Sequence, residues 1–70
     1  MKKALVLTNG LYQTSDAKTA HGLVRGSERF LIAGIIDNTQ TANKDAGELL
    51  DNTHRNIPVF ADLAAALSTI

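Results

Sequence analysis

Five residues of this 70-residue chain stand where a fold could turn them on a ligand: Asn9, Gly10, Lys18, Thr19 and Asp37. Asn9 and Gly10 lie in the polar turn that follows the first apolar run, Ala4 to Leu7, and Lys18 and Thr19 follow that turn. A turn of this kind offers backbone N–H groups to an anion, and the start of a helix adds its positive end. Asp37 closes the second apolar run, FLIAGIID, and lies 21 residues after Asp16, where a helical pattern begins. In a dinucleotide-binding βαβ unit an acid about that far along accepts hydrogen bonds from a ribose. The alternative is a turn residue, because Asp37-Asn38-Thr39 is rich in side chains that bond their own backbone.

The phosphate-binding fingerprint is incomplete. Between the first strand and the helix the chain reads TNGLYQTSDAKT, with one glycine where G-x-G-x-x-G needs three. Lys18-Thr19 matches the last two residues of a P-loop, but Ala17 replaces the glycine and the gap back to Gly10 is too long. Asp16 would itself fill the positive field at the helix start, so an ordinary capped helix with a solvated Lys18 is the competing reading. Tyr12 is placed either to stack on a ligand or to close the turn over the core. His21 falls on a helix and His54 in a loop, with no cluster of Cys, His or Glu at metal spacing, so no metal ligand is assigned. Arg25 and Arg29 read as solvated surface, or as partners of Glu28 or of an acidic group on another molecule. No nucleophile–base pair or pair of carboxylates can be placed together, so no catalytic residue is assigned either.

The elements that must position these residues follow from the apolar periodicity. Ala4 to Leu7 is a short continuous run, as in a strand buried on both faces of a parallel sheet. Ala17, Ala20, Leu23 and Val24 recur at helical spacing from Asp16 to Arg25, with Ser15 or Asp16 as the cap and Gly26 as the stop. Phe30 to Ile36 is the second strand. Ala42, Ala46, Leu49 and Leu50 mark a second helix, and residues 52–56 a loop. Ile57 to Phe60 reads as a third strand that tolerates Pro58 at its beginning, and Phe60, Leu63, Ala64 and Leu67 share one face of a third helix. The order β-α-β-α-β-α predicts an α/β fold, a Rossmann-like three-layer half-unit with a parallel sheet. In the order 3-2-1 the first strand lies on an open edge, which predicts a missing partner: more of the same polypeptide, a second subunit, or an extra strand swapped across a dimer.

Composition narrows the function classes. Seven basic and seven acidic residues cancel, which removes the electrostatic footprint of a nucleic-acid or anionic-membrane binder. The longest apolar run, Phe30 to Ile36, is seven residues, against the ~20 needed to span a bilayer. The absence of cysteine fits a reducing compartment, and Met1-Lys2-Lys3 opens no secretory signal, so the cytoplasm is expected. Seventy residues make one domain, whose single core supplies about 3–5 kcal/mol at most.

The run ALVLTNGLYQTSDAKTAHGLVRGSERFLIAGIIDNTQTANKDAGELL, followed by IPVFADLAAAL, resembles the N-terminal Rossmann-like domain of the bacterial D-glutamate N-acetyltransferase family. The likeness extends from about Lys3 to Leu67. It is carried by the AKTAHGLVRG helix with Lys18, Thr19 and Arg25, by Ile36-Asp37, by Gly47 and by Ile57-Pro58-Val59. The resemblance implies that a larger P-loop-type domain follows in the parent chain, that acetyl transfer belongs to the complete protein, and that acetyl-CoA or a nucleotide is the coenzyme there. It also implies that the 70 residues are a fragment, a nucleotide- or coenzyme-binding-like domain or one that keeps the fold without a ligand.

Overall fold

The computed structural model describes residues 2–69. Strand β1 (Lys2–Leu7) pairs in parallel with β2 (Phe30–Ile36), and β3 (Val59–Phe60) pairs in parallel with the other side of β2. The order β1-β2-β3 is half of a Rossmann-like sheet, with β2 central and β1 at an edge. Helices α1 (Lys18–Arg25), α2 (Ala46–Asp51) and α3 (Leu63–Thr69) complete an α/β unit. None of them is long and apolar enough to cross a membrane.

The pleat sorts the strands into two faces. Ala4 and Val6 of β1, with Ile32 and Ile35 of β2, meet Tyr12, Ala20 and Val24 from the α1 side and Ala46, Ile57 and Val59 from the α2 side. Leu5 of β1, Ile36 of β2 and Phe60 of β3 meet Ala65 and Ala66 of α3. Ile32 and Ile35 are three positions apart, which in a regular strand would put them on opposite faces. The pairing runs Ala4 with Ile32 and then Leu5 with Gly34, so Ala33 is an extra residue. This bulge returns Ile35 to the face of Ile32 and leaves Gly34 under Phe60.

Several boundaries differ from the sequence-based expectation, each for a local reason. The first helix starts with a 3-10 turn, Ser15–Ala17, capped by Thr14 rather than by Ser15 or Asp16; the Thr14 hydroxyl accepts from the Asp16 N–H at 3.2 Å. The second helix begins at Ala46 instead of near Ala42, because Asp45 caps it by accepting from the Glu48 N–H at 3.0 Å. The residues before it are needed elsewhere: Asn43 donates to the Val59 carbonyl at 2.9 Å and the Lys44 carbonyl accepts from Val59 at 3.0 Å, which closes the outer edge of β3. The third strand shrinks to Val59–Phe60, with Pro58 in an isolated bridge to Asp45. In the third helix the buried position is Ala66, whereas Leu63 and Leu67 are 53% and 65% exposed and Phe60 belongs to the sheet. Strand β1 is half-buried rather than covered on both faces, and Leu7 is 71% exposed.

Gly47 shows how closely the loop after α2 folds back. A Cβ there would lie 2.2 Å from the Thr53 carbonyl oxygen and 2.7 Å from Arg55 Cγ, and a backbone oxygen has no room to yield. Gly47→Ala is therefore expected to destabilise the fold by about 2–3 kcal/mol in urea unfolding. Gly22, on α1 with nothing within 4 Å of its would-be Cβ, is the control: Gly22→Ala is expected to stabilise by up to about 1 kcal/mol.

Candidate functional site

At the carboxyl ends of β1 and β2 the chain makes the turn that the sequence singles out. Thr8 N–H donates to the Ile36 carbonyl at 2.9 Å, and the backbone then enters the left-handed region at Asn9 (φ 50°) and Gly10 (φ 88°). This conformation is one that asparagine and glycine adopt at least cost. It aims the following N–H groups inward, at Asp37. Oδ1 of Asp37 accepts from the Thr8 hydroxyl at 2.6 Å, the Gly10 N–H at 2.8 Å and the Tyr12 N–H at 3.1 Å. Oδ2 accepts from the Thr41 hydroxyl at 2.6 Å. The Asp37 N–H donates to the Phe60 carbonyl at 2.9 Å, so one residue links β1, β2, β3 and two turns.

Asp37 is 6% exposed. Burial pushes its carboxyl group upward, but the hydrogen bonds from Thr41, Thr8, Tyr12 and Gly10 outweigh that and hold it below the ordinary carboxylate value. The turn thus forms an anion-binding nest whose anion is the protein's own carboxylate. Other N–H groups of the segment are engaged as well: Leu11 with the Thr8 carbonyl at 2.9 Å, Thr14 with the Leu11 carbonyl at 2.9 Å, and Ala17 with the Thr14 carbonyl at 3.2 Å.

Of the five residues singled out, the structure joins Gly10 and Asp37 directly and sets Asn9 exposed beside them. Lys18 and Thr19 are exposed in the first turn of α1, and Thr19 lines a shallow cleft of ≈ 290 Å³ with Leu7, Thr8, Leu11 and Asp16. Thr8 and Thr41 were missed by the sequence analysis. Their signals were available: a threonine directly after the first apolar run, and another four residues beyond Asp37.

Tyr12 closes the turn over the core. It is fully buried, its hydroxyl donates to the Ala46 carbonyl at 2.7 Å, and burial raises its pKa to about 12. His21 meets the Tyr12 ring edge-on, with centroids 5.3 Å apart, and bonds the Tyr12 carbonyl through Nε2, which must therefore carry the proton.

His54 does gain carboxylate neighbours, which its sequence surroundings did not suggest. The loop 52–56 brings its Nδ1 to 2.6 Å from Glu48 Oε2 and 3.9 Å from Asp45 Oδ2, a donor set whose atoms lie within 4.8 Å of one another. The hydrogen bond to Glu48 and the charge of Asp45 raise the His54 pKa. Asp45 is already committed to backbone: Oδ2 accepts from Glu48 and Arg55, each at 3.0 Å, and Oδ1 from Ile57 at 2.8 Å. Arg55 grips Asp51 through two bonds of 2.6 and 3.0 Å, and this holds the Asp51 carboxyl at about 2. The whole cluster pins the loop to α2.

Comparison with known proteins returns no match: no family model, no curated protein and no solved structure is significantly similar to the chain.

Because the folded-state pKa of Asp37 lies below its unfolded value, its contribution to stability is complete above pH ~4 and is lost as pH falls through the folded-state value. Asp37→Asn keeps the shape and an oxygen for the three donors at Oδ1, but it removes the charge and sets an NH2 group against the Thr41 hydroxyl, and should cost about 3 kcal/mol at pH 7. The loss should shrink toward pH 2, as read by urea unfolding at both pH values.

Proposed function

We propose that this chain is the N-terminal Rossmann-like domain of a protein of the D-glutamate N-acetyltransferase family, and that it serves there as a structural and assembly domain. One observation supports the second half of this reading: the donors of the β1–α1 turn that would cradle a phosphate converge on Asp37. A carboxylate so held is an internal substitute for the ligand. Acetyl transfer, with acetyl-CoA as donor, belongs to the complete protein and its P-loop-type domain. The first half rests on the resemblance together with the parallel β1-β2-β3 order, which is the half-sheet such a domain would contribute. The same reading assigns the chain to the cytoplasm, with no nucleic-acid or membrane partner, in keeping with its zero net charge.

A second reading, coenzyme or nucleotide binding by the domain itself, is favoured by one feature. Lys18 and Thr19 stand exposed at the start of α1, with a cleft beside Thr19 at the carboxyl end of β1. Calorimetric titration of the chain with acetyl-CoA, NAD and ATP separates the two. The structural reading expects no saturable heat from any of the three. Binding of one alone with a Kd below roughly 100 µM, weakened by Lys18→Ala, would replace it with the coenzyme reading.

A further inference from the structure

The two edges of the sheet are unlike. The outer edge of β3 is occupied by residues 43–46, through the bonds of Asn43 and Lys44 with Val59 and of Ala46 N–H with the Ile57 carbonyl at 2.8 Å. Among the described residues nothing pairs with the outer edge of β1. Protected edges carry charged side chains, lysine above all, a proline, or a bulge that bends the strand away. β1 has its two lysines, Lys2 and Lys3, at its start, whereas Ala4 to Leu7 has no charge and no proline and the bulge of this pair belongs to β2.

Resting on the reading of the chain as an assembly domain, we propose that β1 pairs with β1 of a second copy, antiparallel about a two-fold axis perpendicular to the sheet, with Leu5 opposite the partner's Leu5. Directly opposed residues of an antiparallel pair point to the same face. The alternation of β1 therefore restricts the axis to Ala4, Leu5 or Val6. Centring on Ala4 would set the exposed Leu7 against residue 1, and centring on Val6 would set Lys3 against Asn9, where the backbone has already turned left-handed. Centring on Leu5 uses the strand from Lys2 to Thr8 in both copies.

In that register Lys3 lies opposite the partner's Leu7, so its aliphatic stem covers a leucine that is 71% exposed while its ammonium stays in water. On the other face Ala4 meets the partner's Val6, and Lys2 meets the partner's Thr8. The cleft beside Thr8 is lined by Asp16, which gives Lys2 an opposite charge to face. The lysines of the two copies fall at opposite ends of the new ladder. Two three-stranded sheets become one of six strands, and the interface closes on itself without leaving a second sticky edge.

The chain has no cysteine, which makes the register directly testable. In a Lys3→Cys, Leu7→Cys double variant the two cysteines of one chain lie about 13 Å apart along the strand, too far for a disulfide, whereas each faces its counterpart in the second copy. Oxidation should convert most of the double variant to a covalent dimer, while either single variant, whose like cysteines are held about as far apart, stays largely monomeric under denaturing conditions. Sedimentation equilibrium of the unmodified chain should show a dimer in the micromolar range. Leu7→Lys, an exposed position whose change leaves the core intact, should shift the dimer dissociation constant upward by at least 10-fold by setting two lysines face to face, with the melting transition kept as a fold check. A cooperatively melting monomer up to about 100 µM, a trimer or larger species, or a dimer in which the double variant does not cross-link would each overturn the proposal. Silence in coenzyme titrations alongside a monomer would defeat the pairing while leaving the assembly reading intact, and coenzyme binding would defeat that reading whatever the oligomeric state.

Discussion

The buried carboxylate of Asp37 is the constraint on which the rest of this structure depends. A 70-residue α/β unit must turn sharply at the carboxyl ends of its strands, and those turns expose N–H groups that need acceptors. In a ligand-binding Rossmann domain phosphate oxygens meet some of that need. Here a single side chain does so, taking two hydroxyls and two backbone N–H groups from residues as far apart in sequence as Thr8 and Thr41. Each of these bonds has an ionised acceptor and is stronger than a neutral one, which is how a charge can be buried without neutralising itself. The left-handed Asn9 and Gly10 belong to a turn that brings the Gly10 and Tyr12 N–H groups to that carboxylate.

A second economy appears at the other end of the molecule. The loop after α2 has no apolar side chain between Asn52 and Asn56, and it is held by charge and backbone bonds instead: Asp45 to three N–H groups, Arg55 to Asp51, His54 to Glu48. Residues 43–46 then close the edge of β3, which leaves β1 as the one sheet edge without a neighbour among the described residues. The two buried clusters divide unequally, with Tyr12, the α1 face and Val59 on one side of the sheet and little besides Ile36, Phe60 and Ala66 on the other. An open edge and a thinly covered face are features that association can relieve.

The order of elements and the parallel sheet were legible in the sequence, because the change from continuous apolar runs to helical spacing survives in Ala4 to Leu7, in Ala17 to Val24 and in Phe30 to Ile36. Helix starts were read less well. Ala42 fits the helical period but is taken up in a turn, its N–H bonding the Asn38 carbonyl at 3.1 Å, and only the capping geometry of Asp45 sets the true beginning. Leu63 and Leu67 fit an inner face by period, yet the small Ala66 lets α3 lie close to the sheet and turns both leucines outward. For Asp37 the two readings left open by the sequence differ in what the carboxylate faces. That depended on Thr8, Gly10, Tyr12 and Thr41 converging from two separate turns, which no local spacing encodes.

The central claim concerns the occupant of the turn, and carbon-detected NMR of the Asp37 side-chain carboxyl as a function of pH addresses it directly. If the carboxylate is the turn's own anion, its resonance titrates with a midpoint below the ordinary 3.8, and the amide protons of Gly10 and Tyr12 shift with that same midpoint. A midpoint at or above 3.8, with those two amides unmoved, would show that the donors are free for a ligand and would contradict the account.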